Sequence, residues 1–118
     1  MISNADVTEV IAWHDSPISH LFDSVIFSCE VGCVKPEREI YEISMKQLQV
    51  DAHECLFVGA GGSMELKGAK NVGMSTIMIT GIIKKIWPER IDEQKIYADF
   101  VLENLNEFLP EEVRSKTT

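Results

Sequence analysis

Apolar positions along the chain switch between unbroken runs and helical spacings. Val25 to Cys29 (VIFSC), Cys55 to Gly59 (CLFVG), Ser75 to Thr80 (STIMIT) and Ala98 to Leu102 (ADFVL) are short runs rich in β-forming side chains. Such runs predict buried strands. Between them the apolar residues recur three or four apart. Val7, Val10 and Ile11 predict a helix over Asp6 to Trp13, stopped by Pro17. Pro36 opens a second helix at its first turn, where a missing N–H costs nothing. Ile40, Ile43 and Leu48 line one face of it, with Tyr41 and Met45 beside them. Met64 to Val72 predicts a third, closed by Gly73 as a left-handed cap. Ile82 to Lys95 reads as a connection with one turn of helix around Glu89 to Ile91. Asn104 to Leu109 reads as a short helix capped by Asn104. The domain is expected over 1–113, with a disordered tail over 114–118.

Alternating apolar strands and helices imply a mostly parallel sheet with helices on both faces, a three-layer α/β fold. In such sheets ligands bind beyond the carboxyl ends of the strands. Three segments fall there: Ser3-Asn4 before the first helix, Lys35 after the second strand, and Gly59 to Ser63 after the third. The topology therefore gathers a hydroxyl, an amine and a glycine turn around one crevice.

Composition narrows the partners. At 118 residues the chain is one domain, and its apolar fraction of 45% suits a globular core. Eleven basic and nineteen acidic side chains give a net charge of −8. That argues against nucleic acid and anionic membranes, both of which need a cationic surface. No apolar run reaches the roughly 18 residues of a membrane span, and the opening MISNADVTEV lacks the pattern of a signal peptide. Cys29, Cys33 and Cys55 form no C-x-x-C pair, so reduced thiols in a cytoplasmic protein are expected and a zinc site is not. His14, His20 and His53 read as surface residues, and Trp13 and Trp87 as packing or interface residues.

One ordered series of residues resembles the haloacid dehalogenase superfamily of hydrolases. It runs Ser3-Asn4-Ala5-Asp6, Val31-Gly32, Lys35-Pro36-Glu37 with Ile40-Tyr41, and Leu56-Phe57-Val58-Gly59. It continues through Gly61-Gly62-Ser63, Glu65-Leu66, Gly68-Ala69-Lys70 and Gly73-Met74. The resemblance implies a Rossmann-like core and phosphoryl transfer from a small phosphorylated metabolite through an aspartate nucleophile, usually with Mg²⁺. It implies that Ser3 hydrogen-bonds the transferring phosphate and that Lys35 offsets charge on phosphate and nucleophile. Asn4 and Gly61 would then add contacts to the phosphate. The fourth motif, normally Gly-Asp followed by a second acid, reads Gly59-Ala60 here, leaving Glu65 as the candidate metal ligand.

The physical chemistry of these roles stands apart from the resemblance. A phosphoryl group in flight spreads negative charge that fixed cations and donors stabilise. Magnesium wants hard oxygen ligands, and the methyl of Ala60 supplies none. No Asp-x-Asp occurs in the chain. In the family that motif lies on a central strand upstream of Ser3. The chain is therefore expected to be the carboxyl-terminal part of a family member, inactive alone, which either rearranges its sheet or pairs through its bare edges with a second chain, a homo-oligomer being one such pairing.

Each residue also has a structural reading. Ser3-Asn4 could cap a helix, Lys35 could be a solvated lysine, Gly59 to Gly62 could serve only a tight turn, and Glu65 could satisfy a helix dipole. Two other classes compete with the hydrolase reading. Gly59-Ala60-Gly61-Gly62-Ser63-Met64 follows a strand, as a dinucleotide fingerprint does, but its third glycine is replaced by Met64 and the next strand ends without an acid. The other class is a non-catalytic assembly module built on the open sheet edges.

Overall fold

Two parallel sheets organise the computed structural model, which describes residues 1–108. The first pairs β1 (Ile2–Ser3) with β2 (Ile26–Phe27). The second runs β3 (Leu56–Gly59), β4 (Ser75–Ile79) and β5 (Phe100–Leu102) in spatial order, with Val58 opposite Ile77 and Ile77 opposite Phe100. Every pairing is parallel, as the apolar runs predict, and the fold is α/β.

Helices join and cover the strands. α1 (Val7–His14) follows β1 and is capped by the Asp6 carboxylate, which accepts the Glu9 N–H at 3.0 Å. α2 (Ser28–Val31) and α3 (Arg38–Leu48) separate β2 from β3, and α4 (Glu65–Asn71) links β3 to β4. α5 (Ile83–Ile86) and α6 (Glu89–Gln94) lie between β4 and β5. The main core joins Ile26 of β2, Ile40 and Tyr41 of α3, Ala69 of α4, Val72 and Met74. α3 and α4 thus bind the two sheets together by apolar burial, the largest favourable term in folding.

Several expectations are corrected. The run Val25 to Cys29 is strand only at Ile26–Phe27. The Ser28 hydroxyl bonds both the N–H and the carbonyl of Ala5, and the chain turns there into α2. Pro36 lies ahead of its helix, because Glu37 is the extended cap residue and α3 starts at Arg38. Leu48 keeps 42% of its exposure, while Ile40, Tyr41 and Ser44 form the buried face of α3. The connection over 82–95 carries two helices, broken at Trp87-Pro88. The last strand begins at Phe100, not Ala98, and the helix expected after it is a short 3-10 turn, Leu105–Phe108. Leu109 and the tail expected over 114–118 lie outside the described residues. Strand β3 is not buried on both sides: Leu56 and Val58 remain 49% and 39% exposed, since β3 is an edge strand.

Other expectations hold. Gly73 takes φ +99° beyond α4, and His14, His20 and His53 are exposed. Trp13 packs edge-on against Phe22 and Phe27 at 5.5 and 6.1 Å between ring centroids.

Candidate active site

The carboxyl ends of β1 and β3 meet at Lys35. Asn4, immediately after β1, holds the Lys35 backbone with both halves of its amide. Its Oδ1 accepts the Lys35 N–H at 2.8 Å, and its Nδ2 donates to the Lys35 carbonyl at 3.2 Å. On the other flank the Glu37 carboxylate accepts the Val34 N–H at 2.9 Å. The Lys35–Pro36 peptide is cis. The loop is thus fixed by side-chain bonds to backbone groups that no sheet or helix satisfies.

The lysine side chain reaches across to α4. Its Nζ lies 2.9 Å from Glu65 Oε1, and the two side chains are only 13% and 11% exposed. The ammonium also stands 6.0 Å from the Phe57 ring centroid, within range of a cation–π attraction. Glu65 is the hub of the site. Its second oxygen accepts the Gly61 N–H at 3.0 Å, and its backbone carbonyl accepts the Tyr41 hydroxyl at 2.7 Å. Burial, and then the Glu65 carboxylate, push the Tyr41 phenol well above its ordinary pKa, so Tyr41 remains a donor across the working pH range.

Three glycines make room for this arrangement. A Cβ on Gly59 would lie 2.7 Å from Glu65 Cδ, so the carboxylate occupies the space a side chain would take. A Cβ on Gly68 would meet Tyr41 Oη at 2.5 Å and the Pro36 carbonyl oxygen at 2.9 Å. Gly61 has φ +95°, a conformation natural to glycine. Ser63 and Met64 follow at φ 55° and 54°, left-handed positions that side chains adopt at a cost of about 1–3 kcal/mol each. The strained turn delivers Glu65 to the first position of α4 with its carboxylate turned back toward Lys35.

Of the residues singled out from the sequence, Lys35, Glu65, Gly61 and Asn4 form one bonded chain, and Ser3 sits at the end of β1 beside Asn4. The Asn4 amide is engaged with the Lys35 backbone, and the Gly61 N–H with Glu65. Sequence reasoning left out Tyr41 as a support of Glu65, although an aromatic hydroxyl on the buried face of a helix needs a partner.

The donor set does not fit a magnesium ion. The Ala60 side chain offers no oxygen, and both Glu65 oxygens are already held by Lys35 and Gly61. A group of possible ligands among the described residues is Asp51, His53 and Glu54. It lies before β3, away from Lys35, and Asp51 and Glu54 are engaged in a capping box.

Comparison with known proteins decides the family. A family model described as haloacid dehalogenase-like hydrolase matches residues 1–73. The chain belongs to the haloacid dehalogenase-like hydrolase family. Within this family it is similar to bifunctional epoxide hydrolase 2 of Rattus norvegicus, at 35% identity over 78 residues, 66% of this chain and 14% of that protein. It is also similar to a glyceraldehyde 3-phosphate phosphatase of Methanocaldococcus jannaschii, at 32% identity over 92 residues, 78% of this chain and 38% of that protein. A dehalogenase solved with an intermediate complex superposes with a TM-score of 0.70 at 22% identity, over 91% of this chain and 45% of that one. The haloacid dehalogenase-like chain thus spans less than half the length of each of these proteins, and the structural likeness speaks for the fold.

Proposed function

We propose that the Lys35 end of this molecule is the phosphate-facing side of a phosphoryl-transfer site for a small phosphorylated metabolite, and that the chain alone does not turn such a substrate over. The observation that carries the reading is the pair of Asn4 bonds to Lys35, which bring Ser3 and the lysine to one end of the strands. The similarity to a glyceraldehyde 3-phosphate phosphatase supports the substrate class.

The chemistry follows from the groups present. Lys35 is a point charge with three N–H donors, one directed at Glu65, so two remain to meet phosphate oxygens. Ser3 adds a hydroxyl that can donate without deprotonation. Glu65 opposes anion binding: its carboxylate cancels most of the ammonium's field, and the −8 net charge works in the same direction. Phosphate affinity is therefore weak in this state. No Asp-x-Asp supplies an attacking oxygen, and positioning a nucleophile contributes about 7–11 kcal/mol to such reactions. Glu65, the carboxylate that follows the turn, is engaged by Lys35 and Gly61.

Phosphate titration followed by NMR tests the binding side. Shifts at Lys35 and Ser3 are expected at millimolar phosphate, lost in Lys35→Ala and strengthened in Glu65→Gln. Unchanged spectra in both the parent and Glu65→Gln would overturn the site. For the catalytic side, an aryl phosphate with Mg²⁺ should show no hydrolysis above background. Robust turnover abolished by Lys35→Ala would overturn the inactivity of the chain alone.

A further inference from the structure

The glycine turn and helix α6 meet at Gln94. This residue ends α6 and is only 6% exposed. Its aliphatic stem fills the space over Gly61, where a Cβ would lie 3.0 Å from Gln94 Cβ and 3.1 Å from Gln94 Cγ. Its Nε2 donates to Met64 Sδ at 3.2 Å, and a thioether is a weak acceptor. Among the described residues, its Oε1 is a buried side-chain oxygen with no hydrogen-bond partner. A buried acceptor left so is destabilising, and an apolar side chain of the same shape avoids the loss. Packing alone therefore does not account for a glutamine here.

The turn that Gln94 grips carries strain of its own. Ser63 and Met64 hold left-handed backbone at φ 55° and 54°. Met64 is the cap residue of α4, and its side chain makes no cap bond, although the first N–H groups of a helix have no partner inside it. An orphaned acceptor and an uncapped helix start thus adjoin one strained residue. The next residue is Glu65, which holds both Lys35 Nζ and the Gly61 N–H.

We propose that Gln94 is a positioning residue for Lys35, acting through a two-position latch on Glu65. In the position seen here, Gln94 holds Met64 left-handed and Glu65 faces Lys35. In the other, Ser63 and Met64 turn right-handed, the Gln94 oxygen accepts an N–H at the start of α4, and Glu65 leaves Gly61 and Lys35. Backbone strain and an unmet acceptor weigh against the first position. Parting a desolvated ion pair weighs against the second. The two sets of costs oppose each other, which is the condition for a populated minor position. The latch belongs to the free chain and stands without the phosphate reading. Where that reading holds, the second position is the one that offers the whole ammonium to an anion.

NMR relaxation dispersion on the unaltered chain, without any ligand, tests it. Microsecond-to-millisecond exchange with one common rate is expected at the amides of Gly61 to Leu66 and at the Gln94 side-chain NH2. Gln94→Met keeps the length of the side chain and removes both the orphaned oxygen and the alternative cap. The exchange should vanish in that variant, with the melting temperature kept or raised. Ser63→Gly relieves strain in the first position and should lower the minor population several-fold. Glu65→Gln loosens the tie to Lys35 and should raise it several-fold, moving the Ser63 and Met64 amide shifts toward those of the minor position. The proposal is overturned by flat dispersion over Gly61 to Leu66 in both the unaltered chain and Glu65→Gln. It is equally overturned by exchange that persists in Gln94→Met or, should that variant fail to fold, by exchange unchanged in Ser63→Gly.

Discussion

Lys35–Glu65 and Lys70–Asp99 are both lysine–carboxylate pairs that join segments about thirty residues apart, yet water reaches them very differently. The inner pair is 13% and 11% exposed, the outer pair 37% and 33%. Each carboxylate is also anchored by backbone: Glu65 by the Gly61 N–H, Asp99 by the Thr76 N–H at 2.8 Å. The outer pair fastens α4 to the start of β5 and is screened by solvent. The inner pair stands where desolvation makes an unpaired charge costly. A shared chemistry is therefore a strap in one place and the hub of a site in the other.

The comparison breaks most visibly if one inner partner is removed. Glu65→Ala should lower stability by about 3 kcal/mol, measured by denaturant unfolding, because Lys35 loses its partner and Gly61 its acceptor. A loss under about 1 kcal/mol would class the inner pair with exposed ones. Next in size is Gly68→Ala, whose new methyl meets Tyr41 Oη and the Pro36 carbonyl. Overpacking of that kind costs about 1–3 kcal/mol. Gly62→Ala, with nothing within 4 Å of its Cβ, should leave the melting temperature nearly unchanged. Tyr41→Phe removes one buried hydrogen bond to Glu65 and should cost about 1 kcal/mol.

The outer pair gives a smaller effect than the inner one and the clearest pH signature. The Lys70 hydrogen bond, then the Thr76 N–H, holds the Asp99 carboxyl below its ordinary pKa. A carboxyl lowered by folding stabilises above its unfolded pKa, and that contribution disappears as pH falls through the folded value. Asp99→Asn should therefore flatten part of the acid limb of a stability–pH curve below about pH 4, with little change in its slope at neutral pH. High salt should weaken the Lys70–Asp99 pair more than Lys35–Glu65 in double-mutant cycles.

Much of this architecture was legible in the sequence because it rests on local rules. The runs around Ile26, Phe57, Ile77 and Val101 marked four strands, and Gly73 marked a helix end through its freedom at positive φ. Ser3-Asn4, Lys35 and the turn Gly59 to Ser63 were expected together beyond the strand ends, and Asn4, Lys35 and Gly61 are linked there through Glu65. What stayed hidden depends on contacts far apart in the chain. Ser28 ends a strand by bonding Ala5, 23 residues away, and Asn4 grips Lys35 across 31 residues. The turn of helix expected around Glu89 to Ile91 is the start of α6, whereas α5 was missed because Ile82, Ile83, Ile86 and Trp87 show no clean period and are mostly exposed. The separation into two sheets follows from edges that no local pattern announces.

Asn4 holds the backbone of the residue whose ammonium is held by Glu65, so one lysine clasps the β1 side of the molecule to the β3 side. A ligand that drew the ammonium away from the carboxylate would open that clasp. An anion bound at Lys35, as proposed above, would compete with Glu65 for the ammonium, so binding there and closure of the clasp would oppose each other.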